Sequence, residues 1–268
     1  NVLSFDFRGH GASTSVKPEK FWRIGINSSH IKNAKSDQKT ISVKNFSRNY
    51  LPWLVNDIAA ARLDLDNRND SNQCNTSNII VIAAEEAAPI AMTWMAYETA
   101  RQANYKISNV YLDPNVVNPA PGSDDIAGAI WLSFTKTPQG NTFPYYNLIK
   151  LGYDPMTRTS PLRDRIPMWF AVGQTDQLGV ADTNYMYDTV LQAEKKKNAL
   201  ELTFKKPIAN IKLRGADLLG NGTTNEDIDK YIKKLVEKRP AAAQKKRNAG
   251  DATLLPVPLG RLGFQGFP

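Results

Sequence analysis

From residue 78 to residue 98 the chain reads Asn-Ile-Ile-Val-Ile-Ala-Ala-Glu-Glu-Ala-Ala-Pro-Ile-Ala-Met-Thr-Trp-Met-Ala-Tyr-Glu, and no other stretch narrows the possible folds as much. Residues 79–83 form an unbroken apolar run that is too short for a helix and rich in β-branched side chains, the signature of a buried strand. Small alanines then flank two glutamates at 85 and 86, where the chain must turn sharply. A helix is expected from about 86 to 102. Pro89 falls in its first turn, where a missing amide costs nothing because first-turn amides lack intrahelical partners. A buried strand turning directly into a helix is the building unit of an α/β sheet.

The rest of the chain repeats this alternation. Residues 2–7, Val-Leu-Ser-Phe-Asp-Phe, alternate and then stop at Arg8-Gly9-His10-Gly11-Ala12-Ser13, which predicts a strand delivered into a glycine turn. Residues 17–47 are polar, with Trp22, Ile24 and Ile26 as anchors, and read as a long excursion. A helix is expected over 50–65, where Leu51, Leu54, Val55, Ile58, Ala61 and Leu65 recur at three- and four-residue spacing. Further strands are expected at 129–134, at 168–172 and within 201–213, with a helix over 182–197. A last helix starts near 225 with a capping-box-like Thr224 and Asp227 and stops at Pro240. The pattern predicts an α/β fold, a mostly parallel sheet with helices on both faces. Residues 1–239 form this domain. Residues 240–268 are a basic, Pro- and Gly-containing extension without periodicity. It is expected to lie across a surface, anchored by Leu254, Leu255, Val257, Leu259, Leu262 and Phe264.

Composition closes off several function classes. With 268 residues, 41% apolar and 22% charged, the chain is of ordinary globular character. A single cysteine, Cys74, excludes internal disulfides and any cysteine-based zinc cluster. No apolar run approaches the ~20 residues that cross a bilayer, and no targeting segment opens the chain, so a soluble protein is expected and no compartment follows. The formal charge of +8 comes from clusters such as Lys195–Lys197 and Lys245–Arg247. These fall at expected helix ends and in the extension without aromatics between them, a pattern that solvates helix termini and argues against nucleic acid.

Three motifs remain: Asp6-x-Arg8-Gly9-His10-Gly11-x-Ser13, the turn 83–88, and Gly173-Gln174-Thr175-Asp176 after a late strand. In order and spacing they resemble the α/β-hydrolase superfamily over about residues 1–238. More narrowly, the chain is similar to uncharacterised bacterial hydrolase-like proteins with glutamate at the nucleophile elbow. The resemblance implies that Glu85 occupies the nucleophile's place, with Ala83 and Ala87 at the small flanking positions, and that Asp176 is the triad acid. The histidine's place follows the last strand, read as 210–213, and offers only Arg214, Gly215, Ala216 and Asp217. His10 and His30, the only histidines, lie far upstream.

A nucleophile needs a base within hydrogen-bond reach, and arginine stays protonated. The implied protein is a catalytically inactive relative with a binding or assembly role, in which Arg214 forms an ion pair with Glu85, Asp176 or both. The alternative is an atypical, esterase-like hydrolase using Glu85 as nucleophile or base. A third possibility is an oxygen-ligand metal site drawn from Glu85, Glu86, Asp176 and Asp217. The favoured assignment includes neither metal nor cofactor. In the superfamily three strands precede the one ending at Asp6, and one of them lies beside the strand at 79–83. The first strands of the fold are missing here, so a complementing segment is expected from upstream, or from another chain through a protein partner or homo-oligomer.

Overall fold

In the computed structural model the described residues are 1–107, 122–151, 161–192, 202–208, 212–239, 244–251 and 257–265. Four strands form one parallel sheet in the order β1 (Ile79–Ala84), β2 (Ile126–Leu132), β3 (Met168–Gly173) and β4 (Phe204–Ile208). The helices are α1 (Pro18–Phe21), α2 (Gly25–His30), α3 (Val55–Asp70), α4 (Ala87–Ile107), α5 (Tyr145–Lys150), α6 (Pro161–Asp164), α7 (Gln177–Asn184) and α8 (Gly222–Glu237). β2 and β3 are buried at every position.

Successive side chains of a strand point to opposite faces, and the cores divide accordingly. Ala129, Trp131, Met168 and Phe170 join the large core with residues of α3, α4 and α5, whereas Ile130, Leu132, Trp169 and Ala171 pack with Ile228, Tyr231 and Leu235 of α8. Helices therefore cover both faces, as the alternation requires. Gly128 lets α8 approach: a Cβ there would meet Leu235 Cδ1 at 2.6 Å.

Several boundaries differ from the sequence expectations for identifiable reasons. Residues 2–7 form no strand, and Val2 is 96% exposed. An alternating pattern prepares two faces, but a strand also needs a neighbour to bond to, and the turn takes Asp6 instead, whose Oδ2 accepts the Ala12 amide at 3.0 Å. Among the described residues nothing pairs with the outer edge of β1, and Ile82 is 46% exposed there. The excursion contains α1 and α2 and is closed by single bridges, Ser15 to Thr40 and Ile31 to Phe46. Trp22 is buried as expected and Ile26 packs partly buried against the core, but burial also falls on Ile31 and Ile41, leaving Ile24 exposed.

The helix expected at 50–65 is a 3-10 segment over Arg48–Leu54, interrupted by Pro52, followed by α3. The last described strand is β4, paired in register with Trp169–Gly173. Of the stretch 210–213, residues 210 and 211 lie outside the described residues, and 212–213 are not strand. The helix expected over 182–197 begins at Gln177 because Asp176 caps it, then widens into a π turn over Tyr185–Val190; 193–197 lie outside the described residues. α8 starts three residues earlier than expected because Asn221, not Thr224, is its cap, with Oδ1 accepting the Thr224 amide at 3.2 Å.

The C-terminal extension packs on its own domain. Asn69 Nδ2 donates to the Lys245 carbonyl at 2.7 Å, Asp70 accepts the amides of Arg247 and Ala249, and Asn56 accepts that of Val257. Val257, Leu259, Leu262 and Phe264 are buried in the large core, while Leu254 and Leu255 lie outside the described residues. Arg247, expected among solvated cations, is 3% exposed. Among the described residues no helix is long and apolar enough to cross a membrane.

Candidate functional site

Glu85 stands at the C-terminal edge of the sheet with φ +46°. Its amide still donates to the Leu132 carbonyl at 2.9 Å, and its own carbonyl accepts the Ala88 amide at 3.2 Å, so sheet and helix pin the turn from both sides. A non-glycine residue in the left-handed region costs roughly 1–2 kcal/mol. Such strain is tolerated where the surrounding structure over-determines it, characteristically at functional edges. Ser133, at the end of the neighbouring β2, shares the feature with φ +52° and is fully buried.

Three of the residues singled out in the sequence come together. Arg214 Nε lies 2.8 Å from Glu85 Oε1 and 3.6 Å from Asp176 Oδ2, and its Nη2 is 3.4 Å from Thr135 Oγ1. The Nε approaches are charge contacts rather than aligned hydrogen bonds. Gly215 makes room for this arrangement: its φ is +55°, and a Cβ would stand 2.5 Å from Glu85 Oε2. Asp176 also caps α7, with Oδ1 accepting the Gly179 amide at 3.0 Å. The Asp176 side chain is 9% exposed, whereas those of Glu85 and Arg214 are 44% and 35% exposed. Ion pairs this open contribute little to stability. Their effect is on the local charge.

Glu85, Arg214 and Thr135, but not Asp176, line a cavity of about 440 Å³ together with Phe7, Leu51, Leu54, Ile90, Glu86 and His10. His10 was not assigned to this site from the sequence, although the glycine-turn motif carried the signal. In the fold that motif is a scaffold. The Arg8 amide and Nε donate to Asp57 of α3 at 2.9 and 2.6 Å. Burial works against the Arg8 charge, but the Asp57 carboxylate and Tyr50 outweigh it and hold its pKa above the usual value. His10 Nδ1 lies 3.1 Å from the Arg8 carbonyl. A carbonyl can only accept, so Nδ1 carries a proton, and Nε2 is the ring's acceptor when the imidazole is neutral. A second cavity of about 260 Å³, lined by Arg165, Lys238 and Arg239 near the starts of β2 and β3, contains none of these groups.

Asp217 is exposed and does not line the cavity, and Glu86 is bonded to the Gln139 amide and side chain at 3.1 and 3.2 Å. Among the described residues no group of three or more His, Cys, Asp or Glu is placed to hold a metal ion. Two of the four carboxylates considered for one, Glu85 and Asp176, are bridged by the Arg214 guanidinium. Comparison with protein-family models, with curated proteins and with solved structures finds no match to this chain.

Proposed function

We propose that this chain is an α/β-hydrolase-like protein that does not hydrolyse esters and uses the cavity over Glu85 to bind. The hydrolase-like reading is supported by the parallel sheet, the strand turning through a left-handed Glu85 into α4, and Asp176 at the end of β3, together with the Asp-x-Arg-Gly-His-Gly-x-Ser loop beside them. The observation that carries the loss of catalysis is Arg214. It stands between the elbow carboxylate and the acid, where acyl transfer needs a base, and a guanidinium accepts no proton at working pH. The edge of β1 that pairs with no strand among the described residues supports an assembly role for the same protein, since an unpaired row of amides and carbonyls is a template for an added strand.

One observation favours the alternative of a Glu85-dependent hydrolase, namely the His10 acceptor in the same cavity. A panel of p-nitrophenyl esters assayed against the native chain, Glu85→Gln and His10→Ala separates the two. The binding reading expects no turnover above background in any of them. Turnover by the native chain that is lost in both variants would replace it with the hydrolase. Native mass spectrometry reports on the edge: a purely monomeric chain that captures no strand peptide at β1 would remove the assembly role.

A further inference from the structure

We propose that the cavity over Glu85 is a site for a small organic cation, an ammonium group carried on an apolar body; this rests on the binding reading above. The cavity margin sets two carboxylates, Glu85 and Glu86, against a single guanidinium. The single positive charge of that guanidinium is already shared between Glu85 and Asp176, which leaves these groups net negative. The remaining polar group is the His10 ring, whose Nδ1 proton is spent on the Arg8 carbonyl. An entering molecule therefore meets acceptors and an excess of negative charge, and the complementary group is a charged donor.

The rest of the cavity specifies the body of the ligand. Leu51, Leu54 and Ile90 are 5%, 1% and 1% exposed, so these walls belong to the packed core and form a preshaped apolar surface. Phe7 contributes an aromatic ring, whose π face attracts cations. The volume falls within the range of small-molecule sites, in which apolar walls bury the ligand and a few polar groups orient it. A carboxylate ligand would have to displace Glu85 from Arg214 and then sit beside Glu86. Charge alone disfavours it.

The test compares 2-phenylethylammonium with its near-isosteric anion 3-phenylpropanoate on the full chain, by calorimetry and by amide NMR shifts. The ammonium is expected to bind at least tenfold more tightly and to shift the amides of His10, Glu85 and Thr135. Glu86→Gln, which leaves the Arg214 contacts in place, is expected to weaken ammonium binding three- to tenfold. Glu85→Gln frees Arg214 and is expected to improve binding of the anion by about tenfold. Equal or tighter binding of the anion by the native chain, or no shift at the cavity with either probe, overturns the cation site. Glu85-dependent ester turnover would be a separate failure, that of the binding reading itself.

Discussion

Replacing Arg247 by alanine tests whether the C-terminal extension is an integral part of the domain. Arg247 Nη2 lies 3.0 Å from Asp125 Oδ1, with the two side chains 3% and 4% exposed, and also contacts Ser77 Oγ at 3.2 Å. The other Asp125 oxygen is held by Arg62 Nη2 at 2.6 Å. Burial opposes the Arg62 charge, yet Asp66 and Asp125 outweigh it and keep its pKa above the usual value. Breaking a buried pair by removing one partner costs about 3–5 kcal/mol. Here Arg62 keeps half of the compensation on Asp125, while the lost bonds to Ser77 and Thr76 each add roughly 1 kcal/mol.

The balance is a loss of about 3 kcal/mol, a large fraction of the ~5–15 kcal/mol that holds a domain together. For a chain of this size that is a fall of roughly 6–12 °C in Tm. Urea unfolding followed by far-UV circular dichroism measures it. The double variant with Asp125→Asn should lose less than the sum of the single changes, because the neutral amide no longer needs the second guanidinium. A loss below about 0.5 kcal/mol for Arg247→Ala, with an unchanged urea slope, would refute the burial and charge argument and detach the extension from the fold.

Glu85→Gly should be neutral or stabilising by up to about 1 kcal/mol, since it relieves the left-handed penalty and gives up only a half-exposed ion pair. A loss above about 1 kcal/mol in the same urea assay would make the glutamate a structural rather than a functional choice. Leu259→Ala empties a site that is 0% exposed and should cost about 2–5 kcal/mol; a cost under about 1 kcal/mol would show that the extension is not packed there. For Asp70, desolvation raises the pKa, but the Arg247 and Ala249 amides prevail and hold it below the usual carboxylate value. A carboxylate with a lowered folded pKa stabilises above its unfolded pKa and loses that contribution as pH falls through the folded one. The 244–251 segment should therefore loosen below about pH 4. Hydrogen exchange at the Arg247 and Ala249 amides should accelerate there, and in Asp70→Asn at neutral pH. Equal protection across that range would contradict it.

The strand–turn–helix at 78–98 was legible because it is local: β-branched residues, small turn residues and a first-turn proline act within a few positions of one another. The same holds for the alternation that predicts helices on both faces of a parallel sheet, and for the meeting of Glu85, Asp176 and Arg214, each of which ends or follows a strand and so reaches the same sheet edge. What the sequence could not decide depends on partners distant along the chain. Residues 2–7 alternate correctly but form no strand, because a strand exists only with a neighbour to bond to. Arg247 looked like one more solvated cation until Asp125, 122 positions away, accepted it. His10 read as a turn residue, and only the docking of its loop on Asp57 brings it to the cavity. Short-range sterics and hydrogen bonding determine which elements form. The desolvation of charges and the pairing of edges are settled only when those elements close on one another, and the charge and shape of this site come from that closure.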